Sequence, residues 1–253
     1  RPILQPLCDK NTFLEEVVMG LYIILMGVQG AGKGMQASYI RQNYNNIPQI
    51  STGDLFRAMK TRQDDFAKQI QQLMAEGKLI SDEITNKVVE ERLQLPDAGD
   101  GAIFDGFPRT PEQAEWLEGY LNSKGEKIAA VLLMKLDLYE AFRRAFGRVT
   151  SSSGESYNIY SNAERIDWKF SDHPEGAYPP RLEASLKANG EKLIRRPDDA
   201  HAHAIIKRID TFINTTQPLI NYYSKKGLVH EIDASKSIED VSAEIKHILD
   251  AAR

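Results

Sequence analysis

Leu21-Tyr-Ile-Ile-Leu-Met26 is an unbroken apolar run that stops at Gly27-Val-Gln-Gly-Ala-Gly-Lys33. Six apolar residues ended by glycine read as a parallel strand buried on both faces. The segment after it matches G-x-x-x-x-G-K. Its glycines let the backbone curl so that several N–H groups point at one phosphate. A helix beginning within the loop and running through Ala37 and Ile40 adds the positive end of its dipole. Lys33 brings a full charge to the outer phosphates. The plain alternative is a glycine-rich turn with no ligand. A buried strand before the loop and a helix after it are the context that phosphate binding requires, so a nucleoside triphosphate is expected here.

Outward from this loop, further strands are expected at Ala102-Ile-Phe104, Ala129-Ala-Val-Leu-Leu-Met134 and Leu228-Val-His-Glu-Ile232. Helical patterns lie between them. Phe66, Ile70, Leu73 and Met74 recur at helix spacing before a stop at Gly77, and Ile238, Val241, Ile245, Ile248 and Leu249 do so behind a capping Ser237. Strands alternating with helices give an α/β fold with a parallel sheet. The rhythm fails from Val149 to Pro197, a stretch with Ser151-Ser-Ser-Gly154, Pro174, Pro179 and Pro180. That is too long for an ordinary loop and reads as an inserted lobe.

The 253 residues suffice for one core with inserted lobes or for two small domains. A net charge of −4 offers no surface for nucleic acid or a membrane. Cys8 is the only cysteine, so neither an internal disulfide nor a zinc cluster is available and a reducing cytoplasm is expected. No segment reaches the ~20 apolar residues of a bilayer span. Residues 1–18 are expected to be an N-terminal extension ahead of a natural start at Met19. Gly34 stands where phosphate loops commonly place a magnesium-binding Ser or Thr. That argues against switches and motors and leaves small kinases.

Larger stretches then become specific. Gly27-Val-Gln-Gly-Ala-Gly-Lys-Gly-Met-Gln36, Ile50-Ser-Thr-Gly-Asp-Leu-Phe-Arg57 and Asp105-Gly-Phe-Pro-Arg109 occur in order. Arg144-Ala-Phe-Gly-Arg148, Ser153-Gly154, Tyr157, Arg196-Pro-Asp-Asp199, Lys207-Arg208 and Pro218-Leu-Ile-Asn-Tyr-Tyr-Ser224 follow. From Met19 onward the chain resembles adenylate kinase, of the long-lid type without zinc cysteines. The resemblance implies a P-loop NTPase-type parallel sheet flanked by helices, formed by residues 19–147 and 198–253. It implies an AMP-binding lobe at 50–80, a lid at 148–197, and reversible transfer from MgATP to AMP giving two ADP. A monomer that binds ATP, AMP and ADP, and neither nucleic acid nor membrane, is expected.

The same resemblance assigns residues. Lys33, Arg109, Arg144, Arg148, Arg196 and Arg208 would surround the transferring phosphoryl group, where planar bidentate cations suit phosphate. Gly30, Ala31, Gly32, Lys33, Gly34, Met35, Arg144, Arg148, Ser156, Tyr157 and Lys236 would contact ATP. Thr52, Arg57, Lys78, Leu79, Ile80, Gly106, Phe107, Pro108, Arg109, Gln113, Arg196 and Arg208 would contact AMP. Asp105 would hold Mg2+ through water, and no zinc is expected. Thr150 and Ser153 would belong to the polar network that replaces zinc ligands.

Some of these positions carry plainer accounts. Thr110-Pro-Glu-Gln113 is a capping box, which alone explains Gln113. Thr52 is also a helix-start residue. His201 and His203, two apart on a helix, do not converge on a metal.

The departures from the family pattern are Gln29 for a usual Pro, Met35 for a usual Thr and Asn158 for a frequent His. A lid about fifteen residues longer than expected holds Trp168, Phe170 and Tyr178, read as packing that orders it and expected to slow lid motion. A UMP/CMP kinase is the nearest alternative, set aside on the long lid and Thr52. A nucleotide-binding protein without catalysis is the other.

Overall fold

The computed structural model describes residues 19–76, 80–161, 163–172, 180–196, 199 and 201–252. In chain order the elements are β1 (Leu21–Gly27), α1 (Lys33–Asn43), β2 (Gln49–Ser51), α2 (Thr52–Met59), α3 (Asp65–Ala75), α4 (Asp82–Leu93), β3 (Gly101–Asp105), α5 (Pro111–Ser123), β4 (Ile128–Lys135) and α6 (Leu138–Phe146). Then come β5 (Arg148–Thr150), β6 (Ser156–Asn158), β7 (Ile166–Ser171), β8 (Arg181–Leu186), β9 (Lys192–Leu193), α7 (Ala202–Ser224), β10 (Val229–Asp233) and α8 (Ile238–Ala252).

The central sheet has the order β10-β4-β1-β3-β2, and every pairing in it is parallel. This is the P-loop NTPase-type sheet flanked by helices. β1 lies mid-sheet, and all seven of its residues are buried. Leu21, Ile23 and Leu25 face a layer with Ala37 and Ile40 of α1, Ala141 of α6, Ile205 of α7 and Ile245 of α8. Tyr22, Ile24 and Met26 face Val89 of α4, Leu117 of α5 and Leu219 and Tyr223 of α7. Alternation along one strand thus builds both layers, and each fully buried aliphatic side chain contributes about 1.5–3 kcal/mol.

The Tyr223 hydroxyl is buried without a hydrogen-bond partner, and burial raises its pKa. Tyr223→Phe removes an unpaired polar atom and keeps the ring. Thermal unfolding is expected to show stability unchanged or raised by up to about 1 kcal/mol.

The expected strands are present, three with slightly wider bounds and β10 shifted by one residue, and β2 adds one that was not foreseen. Three residues carry too little periodicity to be read alone. Ser237 accepts from the Asp240 N–H ahead of α8. Helix α3 ends at Ala75, and the expected stop at Gly77 lies outside the described residues.

Two smaller apolar clusters stand apart from the sheet. Met59, Ala67 and Ile70 of α2 and α3 pack with Val88 of α4, so this lobe's core reaches beyond residue 80. Val149, Tyr157, Ile159, Ile166, Ala184 and Leu193 form the other. It is held by the antiparallel pair β5-β6 and the antiparallel sheet β7-β8-β9, joined by a bridge between Thr150 and Ile194.

The long insertion is therefore largely a β-hairpin. Phe170 on it lies 6.2 Å from Phe146 of α6 and 5.7 Å from Trp168, centroid to centroid. Both exposed rings thus continue an aromatic ladder from α6, in line with a packing role. Tyr178 is outside the described residues. Ser153 joins Ser151 at 2.8 Å, but the Thr150 hydroxyl is buried without a partner, which corrects the network expected there.

Candidate active site

The phosphate loop leaves β1 at the middle of the sheet, at the carboxyl ends of the strands. That is the crevice where α/β sheets bind ligands. Gly30 has φ +90° and packs so closely on α6 that a Cβ would sit 2.6 Å from the Ala141 carbonyl oxygen. Gly32, at φ +85°, caps α1 with no side-chain hydrogen bond. The first turn of α1 contains no acidic residue, so its amides and dipole remain uncompensated toward an anion. The Lys33 ammonium is folded back onto the loop, donating to the Gly27 carbonyl at 2.7 Å and the Val28 carbonyl at 3.3 Å. Met35 is 48% exposed and offers only its backbone N–H, which already donates to Gly32 at 3.0 Å. Ala31 donates to the Val28 carbonyl in the same way at 3.1 Å.

Asp105 ends β3 beside Leu25 of β1, next to the loop. Gln49 of β2 donates to one of its carboxylate oxygens at 3.1 Å. Burial lowers the Lys33 pKa, Asp105 opposes this, and Arg148, Arg208 and Arg109 push it lower still. Four cations and one carboxylate thus share one field at the ends of the strands.

A polyanion arriving there raises the Lys33 pKa again. Net proton uptake on ATP binding is therefore expected on the alkaline side of neutrality, below the ordinary titration range of a lysine ammonium. Calorimetry in buffers of different ionisation enthalpy would detect it, and Lys33→Met should abolish it. Binding without uptake in the unsubstituted protein contradicts this picture of Lys33.

Arg148 and Arg208 meet at one carboxylate. Asp199 is fully buried and accepts from Arg148 Nε at 2.8 Å and Nη2 at 2.6 Å, and from Arg208 Nη1 at 3.4 Å. Arg208, within α7, is thus brought to the side of Arg148. Burial and then repulsion from Arg148 lower the Arg196 pKa, with Asp199 opposing and Arg57 adding, so Arg196 belongs to the same cluster. Arg144 is held by Glu140 at 3.1 Å and by the Ala234 carbonyl at 3.1 Å, in the turn that carries Lys236. Lys236 itself pairs with Glu244 at 3.1 Å. Asn158 donates to the Arg144 carbonyl at 2.7 Å and so fastens the insertion to α6.

Another group lies between β3 and α2. Thr52 donates to the Gly106 carbonyl at 2.8 Å. Arg109 donates to the same carbonyl through Nε at 2.8 Å and to the Thr52 hydroxyl at 3.4 Å. Burial lowers the Arg109 pKa and Asp105 opposes. The N-cap of α2 is Ser51, so Thr52 is not needed for capping.

Four residues expected to contact AMP have protein partners on this side. Gln113 has both ends of its side chain engaged: its oxygen accepts from the Arg109 N–H at 2.7 Å and its amide donates to Asp82 at 2.6 Å. Phe107 is a core ring 6.2 Å from Phe104 and 6.0 Å from Trp116, which leaves only backbone at Phe107 for a ligand. It precedes Pro108 through a cis peptide bond. Arg57 is 54% exposed and pairs with Asp54 on its own helix, not with Arg109. The Ile80 side chain packs on the small helical cluster, which leaves its backbone for the contact expected of it, while Lys78 and Leu79 lie outside the described residues. In the insertion Tyr157, expected to lie near ATP, is only 4% exposed and packs in that unit's core with Arg165 over its ring. Its neighbour Ser156 stays half-buried on β6.

The adenylate kinase family model matches residues 25–228. An adenylate kinase from Listeria monocytogenes serotype 4b is 37% identical over 228 residues, covering 90% of this chain and 98% of that protein. Those of a Thermoanaerobacter species and of Staphylococcus aureus are 37% and 36% identical over 90% of this chain and 97% and 98% of their own. The chain belongs to the adenylate kinase family. It is thus a nucleoside monophosphate kinase by family, a phosphotransferase whose family binds nucleotides.

Within an adenylate kinase frame, three polar residues stand out that no role was expected for. Asp199 collects arginines, Gln49 holds Asp105, and Asp82 holds Gln113 and Thr110. Asp199 was visible inside Arg196-Pro-Asp-Asp199, but nothing in the spacing tells that it is buried. Gln49 and Asp82 carry no local signal, since their partners lie 56 and 31 residues away.

Proposed function

We propose that this chain transfers the terminal phosphoryl group of MgATP to AMP, reversibly, giving two ADP. The observation that carries this reading is the field of Arg109, Arg148, Arg208 and Asp105 that falls on Lys33 at the end of a phosphate loop. An AMP phosphate oxygen is already ionised at neutral pH, so the attack needs no general base. It needs alignment and neutralisation of several negative groups brought together in line. In this reading Lys33 leaves the loop carbonyls for the outer phosphates of ATP. Arg109, beside Thr52, takes the AMP phosphate. Arg148 and Arg208 turn from Asp199 to the group in transfer, Arg196 joins them there, and Arg144 steadies ATP. The lobe around residues 50–80 and the lid at 148–197 close over the two nucleotides.

Asp105 suits magnesium. One carboxylate with a free oxygen beside the phosphate loop is the usual protein share of a site completed by phosphates and water. Bound there, Mg2+ would neutralise charge on the phosphates of ATP. The reading also takes the enzyme as a cytoplasmic monomer. Base choice is tested by comparing AMP, CMP, UMP and GMP as acceptors with ATP. AMP is expected to be preferred, and near-equal rates with UMP would favour a UMP/CMP kinase instead.

A further inference from the structure

Gln29 sits in the phosphate loop, yet its side chain is only 8% exposed. Its Nε2 donates to Oδ1 of Asp199, 170 residues along the chain. Among the described residues its Oε1 is buried without a partner. A buried ionised carboxylate needs a donor, so the bond to Asp199 alone fixes which way the amide faces.

Asp199 uses Oδ2 for Arg148 and Oδ1 for Gln29 and Arg208. When the arginines turn to a phosphoryl group, this fully buried carboxylate loses part of its cationic support, a costly state unless another donor remains. A neutral amide supplies that donor and adds no charge to compete for phosphate. It also ties the loop to the stretch between the lid and α7.

We propose that Gln29 is a positioning residue for phosphoryl transfer: its amide holds Asp199, and through it Arg148 and Arg208, in register with the phosphate loop. The inference rests on the ATP-to-AMP reading given above.

Gln29→Met keeps the volume and removes the donor. It is expected to lower kcat about tenfold, the worth of one lost hydrogen bond to a charged group, with KM for AMP within about twofold and Tm little changed. Gln29→Glu, which sets a second carboxylate against Asp199, is expected to lose more. Added to Asp199→Asn, which loses the charge but keeps an acceptor oxygen, Gln29→Met is expected to cost clearly less than in the unsubstituted protein, because both act through one contact.

Unchanged kcat in Gln29→Met overturns the inference. So does a fall in Tm with kcat per folded molecule intact, which is the mark of a tether alone, or a loss that adds in full to that of Asp199→Asn. If Gln29→Met does not fold, Gln29→Asn, whose amide falls one methylene short, is read by the same criteria. An unsubstituted protein that forms no ADP from ATP and AMP overturns the reaction itself and this inference with it. An active one with an indifferent Gln29→Met overturns only the inference.

Discussion

Lys33→Ala is expected to lower the rate of ADP formation from MgATP and AMP by about 10³-fold or more, at the upper end of what one preorganised donor to a developing phosphate charge is worth. Among the described residues, the Lys33 ammonium hydrogen-bonds only loop carbonyls, at Gly27 and Val28. Its charge is crowded by three arginines and opposed by one aspartate. It is thus a cation kept at some cost where an anion is due. The fold does not depend on it: Ala37 and Ile40 anchor α1 in the core, and circular dichroism should show a native spectrum. A near-normal rate in Lys33→Ala would remove the role given to the loop.

Arg109→Ala is the second large effect. Its guanidinium is oriented by the Gly106 carbonyl and the Thr52 hydroxyl, a fixed pose that leaves donors for a phosphate. Losing two charge-assisted bonds costs about 3–6 kcal/mol, hence about 10²–10⁴-fold in kcat/KM for AMP. KM for ATP is expected to move less than about threefold, because the loop and the lid arginines are untouched. Initial rates with each substrate varied separately would show the split. Equal losses for both nucleotides would contradict the assignment of Arg109 to the acceptor side.

The sheet was legible because β1 is apolar on both faces and ends in a glycine-rich loop, which ties local sequence directly to a buried central strand. The lobe and the insertion were legible only as interruptions. Short strands such as β2 and β5 draw stability from pairing across the chain, not from their own pattern. In the candidate site, backbone-determined features were foreseen, such as the loop glycines and the capping by Thr110.

Side-chain partnerships were harder to foresee. Gln113, Phe107 and Tyr157 each sit within a recognisable stretch, but whether such a side chain faces a ligand or the core depends on neighbours far away in sequence. Asp199 shows the converse. It looked like one acidic residue among several, and its importance comes from Gln29, Arg148 and Arg208 converging on it in space.

The central claim is that one site carries a phosphoryl group directly between two nucleotides. Phosphorus NMR of the unsubstituted protein with ATP, AMP and Mg2+ tests it most directly. The account predicts that ATP and AMP disappear together, that two ADP appear for each AMP consumed, that the reaction runs back from ADP alone, and that no inorganic phosphate accumulates. Release of inorganic phosphate with AMP unchanged, or no turnover while ATP still binds, would contradict it.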